Sequence, residues 1–253
     1  MTQGALQQIP DKTAVSFPTM WRGSWMLWSV IASLLVAAPS YFLIDRLAAH
    51  AVPAAGTWPR ELADKLTHAG DATGWVVAGV ALLAWQIYRR WTWMGMGAWM
   101  LGSVAAVGLI VRLIKVTVGR SRPNLLMRDG TYDFSFMETA YAWNSFPSGH
   151  ASTLGAMCFV MCWKYPRWRP MWIVVFVALA STRVLTLSHF VSDVIVGFVL
   201  GMVVAALIRR YLLGADAGSG AVSGAGSVAS AGAGSELPEA AVVTPRTMTT
   251  TSS

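Results

Sequence analysis

Long uncharged stretches alternate with short clusters of charge along this chain. Gly23 to Ile44 carries no charged residue, Ala72 to Tyr88 carries none, and Trp91 to about Ile114 carries only Arg112. Three more apolar runs follow: His150 to Trp163, Pro170 to about Ser188, and Val191 to Ile208. A helix needs about 20 mostly apolar residues to cross a bilayer core, so each run predicts a membrane-spanning helix. The resulting fold class is all-α: a polytopic membrane protein whose six transmembrane helices form a bundle. Pro39 is placed to kink the first span, and Pro170 suits the first turn of the fifth. Between Asp45 and Asp71 the pattern breaks at Pro53, Gly56 and Pro59, then resumes as E-L-A-D-K-L-T-H, which predicts a loop followed by a short interfacial helix. Residues 116 to 146 form a connection too long and polar for a compact bundle unless it carries function.

Domain limits follow from the same pattern. Residues 1–22 are polar and are expected to be a cytoplasmic N-terminal segment, 23–213 form one six-span domain, and 214–253, rich in Gly, Ala, Ser and Thr, should be disordered. The first run is long for the apolar region of a cleavable signal and is expected to remain as an anchor. Composition agrees. The 253 residues are 55% hydrophobic and 12% charged, with mean hydropathy +0.51, against roughly 25% charged in a soluble domain. The net charge of +7 comes from cations that flank apolar runs or fall in the motifs below, so no nucleic-acid partner is expected. Lys12 and Arg22, Arg89 and Arg90, Lys164 with Arg167 and Arg169, and Arg209 with Arg210 all fall on one side of a six-span arrangement. The positive-inside rule makes that side, and both termini, cytoplasmic. Cys158 and Cys162, at i and i+4 in an apolar run, read as reduced, buried small residues. Gly197 and Gly201 make a G-x-x-x-G spacing that lets helices approach closely. His50 and His68 are assigned no role.

Candidate chemistry collects on the opposite side. Lys115 and Arg122 can neutralise one anion, the lysine as a point charge and the arginine as a fork; a basic patch on anionic lipid is the alternative for that segment alone. In P-S-G-H, Ser148 can cap a helix whose Gly149 amide faces an anion, with His150 in the first turn. His189 and Asp193, at i and i+4, let a carboxylate hold one imidazole nitrogen while the other reacts. Arg183 adds a third cation.

Taken together, K-x6-R-P at Lys115 to Pro123, P-S-G-H at Pro147 to His150, and R-x5-H-x3-D at Arg183 to Asp193 resemble the three signatures of the type 2 phosphatidic acid phosphatase superfamily. Thr182 stands where the family often has Ser. The resemblance spans roughly residues 25 to 210. It implies a metal-independent membrane lipid phosphatase without a cofactor, in the inner membrane of a bacterium, with its site on the extracytoplasmic face. His189 would attack phosphorus and form a phosphohistidine, and Asp193 would stabilise the imidazole. His150 would protonate the leaving oxygen and then assist water. Lys115, Arg122, Arg183 and the Ser148–Gly149 region would hold the phosphoryl oxygens. Undecaprenyl diphosphate leads as expected substrate, followed by lipid A 1-phosphate, with phosphatidylglycerophosphate and phosphatidic acid as further alternatives. A non-catalytic lipid-phosphate binder or transporter is the reading from another class.

Overall fold

The computed structural model describes residues 24–89 and 95–213. The expected N-terminal segment 1–22 and the tail 214–253 lie outside the described residues. Among the described residues the chain is all-helical: α1 (Ser24–Leu43), α2 (Asp45–Ala54), α3 (Trp58–Thr67), α4 (Ala72–Tyr88), α5 (Gly95–Val118), α6 (Pro123–Asp129), α7 (Gly149–Lys164), α8 (Arg169–Leu185) and α9 (Val191–Ile208). Four segments are long and apolar enough to cross a membrane: Ser24–Leu43, Gly95–Val118, Pro166–Leu185 and Val191–Tyr211. The other two expected spans are helices of 17 residues (α4) and 16 residues (α7).

Helix α7 sits at the centre. Every residue from Ala151 to Val160 is buried, and the surrounding core is built from Trp99, Val104 and Val107 of α5, Phe176 and Ala180 of α8, and Val204 and Ala205 of α9. Trp99 donates its indole N–H to the Ala205 carbonyl at 2.8 Å, so a large core side chain satisfies its polar atom inside the bundle. The G-x-x-x-G spacing serves this packing. A Cβ on Gly201 would fall 1.8 Å from the Ser152 carbonyl oxygen, and one on Gly155, across the contact in α7, 2.0 Å from that of Phe198. The α7 and α9 backbones therefore touch through small residues, which holds the start of α7 beside the start of α9. Outward faces remain apolar: Leu35 and Phe42 of α1 and Val174 and Val177 of α8 are exposed, as on surfaces that meet lipid.

Two connections differ from expectation. The 45–71 segment contains two helices, α2 and α3, plus a 3-10 turn at His68–Gly70; Pro59 falls in the first turn of α3, where proline disturbs least, and Pro53 lies inside α2 one residue before its end. Helix α5 runs to Val118, so Lys115 lies on its last turn and the long connection starts at Gly119. Cys158 is buried and its sulfur lies 4.0 Å from that of Cys162, both thiols being free.

Candidate active site

The last turn of α5 delivers Lys115, and a sharp change of direction follows. Gly119 has φ +57, and a Cβ there would lie 1.6 Å from the Ser135 carbonyl oxygen, so both conformation and space demand glycine. Beyond it residues 120–122 run extended. They are pinned by Ser121 N–H to the Asp133 carbonyl at 3.0 Å, Arg122 N–H to that of Ala142 at 2.9 Å, and Ser145 N–H to that of Arg120 at 3.0 Å. Extended backbone turns alternate side chains to opposite faces. Arg120 and Arg122 consequently enter the protein on one side, while the Ser121 hydroxyl accepts the Asp133 N–H at 3.1 Å on the other.

Arg122 and Lys115 converge. The Asn144 carbonyl oxygen accepts from Lys115 Nζ at 2.5 Å and from Arg122 Nη2 at 3.2 Å, placing both cations around one point. Arg122 also donates Nε to the Tyr141 carbonyl at 2.9 Å and Nη1 to that of Ser188 at 3.1 Å, and its guanidinium lies 3.8 Å from the Tyr141 ring centre. The Ser188 contact ties the first motif to the third.

Ser148 is the N-cap of α7, its hydroxyl accepting from Ala151 N–H at 3.4 Å; its own N–H reaches the Asp193 carbonyl at 3.1 Å. Gly149 begins the helix, and His150 lies in its first turn. His150 Nε2 lies 2.6 Å from Asp71 Oδ1, and the other carboxylate oxygen of Asp71 lies 3.2 Å from His68 Nδ1. Burial would raise the Asp71 carboxyl, but the hydrogen bonds from His68 and His150 outweigh it and hold it below its ordinary value.

At the third motif, α8 presents Arg183, whose Nη1 donates to Thr67 Oγ1 at 2.8 Å. The chain then folds back, with Ser188 and His189 N–H both on the Arg183 carbonyl at 3.1 and 3.2 Å and Leu187 at φ 52. This turn buries His189, 3% exposed. Burial, reinforced by Lys115 and Arg122 against the opposing pull of Asp193, holds its imidazole down to about 3, so the ring is neutral at physiological pH with a lone pair available. Asp193 Oδ2 is 3.8 Å from His189 Nδ1, longer than a hydrogen bond. That oxygen instead accepts from Ser145 Oγ at 2.6 Å and Phe190 N–H at 2.9 Å.

The carboxylate's strongest partner is Arg120, which bonds Asp193 Oδ1 through Nη1 and Asp45 Oδ2 through Nη2 at 2.8 Å. Ser192 completes the cluster, its N–H donating to Asp45 Oδ1 at 3.0 Å and its hydroxyl bonding both Arg120 and Asp45. Asp45, Arg120 and Asp193 are all buried. The two carboxylates outweigh burial and hold the Arg120 guanidinium charged, while the rings of Phe190 and Tyr41, 4.5 and 4.8 Å away, exclude water from it.

All eight residues singled out by motif therefore lie where α5 ends, α7 begins, α8 ends and α9 begins. Direct contacts join Lys115 to Arg122 through Asn144, and Arg122 to the turn carrying His189. Sequence reasoning missed Asp71, Asp45 and the role of Arg120. The available signal was an acid at each end of the 45–71 segment, hard against apolar spans, where ionisable residues are expensive without a partner.

Residues 96–215 match the model of the PAP2 superfamily. The chain is 33% identical to lipid A 1-phosphatase of Rhizobium etli over 159 residues, covering 56% of this chain and 66% of that one. It is 32% identical to lipid A 1-phosphatase of Rhizobium johnstonii over the same length, covering 56% and 63%. The alignments thus reach just under two thirds of these relatives. Among solved structures, the transmembrane PAP2-type phosphatidylglycerolphosphate phosphatase of Bacillus subtilis superposes with a TM-score of 0.57 at 23% identity, covering 74% of this chain and 94% of that one, a likeness of fold.

Proposed function

Since the chain belongs to the PAP2 superfamily through residues 96–215, we propose that it is a membrane lipid phosphatase that works through a phosphohistidine on His189. One observation carries this reading: Lys115 and Arg122 donate to a single oxygen beside a buried, neutral histidine. A neutral imidazole near converging cations suits attack on an anionic phosphorus centre.

In the first step the His189 lone pair forms the N–P bond as the bond from phosphorus to the leaving oxygen breaks, and His150 delivers a proton to that oxygen. In the second, His150 takes a proton from water as the water oxygen attacks phosphorus, releasing inorganic phosphate and neutral His189. Lys115, Arg122 and Arg183 hold the phosphoryl oxygens as charge builds, helped by the Ser148–Gly149 helix start. Asp193, anchored by Arg120, supplies a fixed negative charge behind His189. These parts need no metal.

The six-span arrangement belongs to the same proposal. Helices α4 and α7, about 25 and 24 Å long at 1.5 Å per residue, are somewhat short for a core of about 30 Å. Helix α7 is enclosed by protein and need not match the lipid, and α4 packs along α5. Alternating passes place the four site-bearing helix ends on one face, opposite the basic clusters at Arg89 and Arg209, which makes the site extracytoplasmic.

For substrate, the motifs do not separate the candidate lipids, and the names of the two Rhizobium relatives favour lipid A 1-phosphate over undecaprenyl diphosphate, which leads on the family resemblance alone. A phosphate-release panel on detergent-purified protein, with lipid A, undecaprenyl diphosphate, phosphatidylglycerophosphate and phosphatidic acid in the presence of EDTA, tests both levels. The highest kcat/KM is expected for lipid A. Loss of all release on chelation, or no release from any lipid, overturns the phosphatase reading.

A further inference from the structure

We propose that Asp71 is a positioning residue for His150, holding the imidazole so that Nδ1 serves the leaving oxygen; this rests on the phosphatase reading above. Asp71 lies 79 positions from His150 in sequence, yet its Oδ1 sits 2.6 Å from Nε2. The backbone around it is built for that contact. A Cβ on Gly70 would meet His150 Cδ2 at 3.2 Å and Leu154 Cδ1 at 3.2 Å, so glycine lets the turn lie against the Cδ2–Nε2 edge of the ring. Trp75 fastens the turn by donating Nε1 to the Ala69 carbonyl at 2.8 Å, and Asp71 N–H donates to the His68 carbonyl at 3.1 Å.

With the Cδ2–Nε2 edge turned to Gly70 and Asp71, Nδ1 lies on the opposite edge of the ring. A carboxylate on Nε2 keeps the proton there, so Nδ1 alone changes state. It gives its proton to the leaving oxygen as the P–O bond breaks, then uses the freed lone pair to take one from water. Asp71 neither gains nor loses a proton. Its charge also balances an imidazolium formed near Lys115, Arg122 and Arg183. The pair is a poor structural brace, because the side chains are 42% and 29% exposed and solvent-exposed ion pairs add little to stability. His68, 77% exposed, lies 3.2 Å from the second oxygen of Asp71.

The test compares two leaving groups in the full-length detergent-purified protein. Phosphatidic acid releases a poor alkoxide and needs the acid; p-nitrophenyl phosphate releases a good phenolate and needs it little. Asp71→Asn is expected to lower kcat/KM about 100-fold on phosphatidic acid, the lower end of what a positioned acid supplies, and at least tenfold less on p-nitrophenyl phosphate. Asp71→Glu should recover part of the loss. Equal losses on both substrates, or wild-type rates in Asp71→Asn, overturn the role of Asp71 alone. If the wild type shows no release that His189→Ala removes, the phosphatase reading fails and takes this inference with it.

Discussion

Replacing Arg120 with glutamine should do more damage than any other single change near the site, and for a reason that charge counting makes explicit. Asp45, Arg120 and Asp193 are buried together and carry a net charge of −1. Arg120→Gln takes this to −2, leaving two enclosed carboxylates without a counter-ion. Removing one partner of a buried pair costs about 3–5 kcal/mol. For a domain of this size 1 kcal/mol shifts the melting temperature by about 2–4 °C, so a loss of about 6–20 °C is expected. Asp45→Asn takes the cluster to zero, because Arg120 keeps Asp193. The introduced amide nitrogen cannot accept where a carboxylate oxygen takes Arg120, and the change costs about 1–3 kcal/mol. The distinguishing case is the double variant: with glutamine at 120, Asp45→Asn removes one of the unpaired charges and should raise stability above that of Arg120→Gln. The buried thiol of Cys158 permits the measurement in detergent, by heating with a dye that fluoresces on reacting with exposed cysteine. A double variant less stable than Arg120→Gln by the full Asp45→Asn cost would refute the ionic account of this cluster.

Acid should weaken the fold through His189. Its imidazole titrates at about 3 when folded against an ordinary 6.5, so the unfolded chain binds the extra proton between these values, and stability is full above pH 6.5 and falls as pH drops towards 3. At pH 5 the loss reaches about 2 kcal/mol; wild type should therefore lose more of its melting temperature between pH 8 and pH 5 than His189→Asn, and equal losses would exclude His189 as the cause. A cysteine placed at Phe136, which is 74% exposed in the connection after Gly119, should react with a membrane-impermeant maleimide added outside whole cells. Labelling only after the membrane is opened would reverse the proposed orientation.

The periodic and the local were legible in the sequence. Helices α1, α4, α7 and α9 fall within a residue or two of the apolar runs, because continuous hydrophobicity over that length has few alternatives to a helix. Ser148 caps α7 as its type and place require. The three motifs were legible because each packs its chemistry into a few adjacent residues. Asp71 and Asp45 were not: each is a single carboxylate in a polar connection, and its partner lies 79 or 75 positions away. Only the closing of the bundle brings them together. The partner of Gly197 and Gly201 was hidden in the same way. It is α7, and the reciprocal Gly155 shows that the spacing is spent inside the chain. The i, i+4 spacing of His189 and Asp193 suggested one helix face, but His189 lies in the turn before α9, and spacing does not reveal that Ser145, Phe190 N–H and Arg120 take the carboxylate's hydrogen-bonding capacity and leave the imidazole at 3.8 Å.

The central claim is a covalent phosphate on His189, and acid-labile phosphohistidine can be read directly. The protein is mixed with 32P-labelled lipid phosphate, quenched within a turnover in alkaline detergent, digested and mapped by mass spectrometry. Wild type should carry label on His189 alone, His150→Ala should alter how much accumulates without moving it, and His189→Ala should carry none and release no phosphate. Label on another residue, or full phosphate release by His189→Ala, would contradict the account.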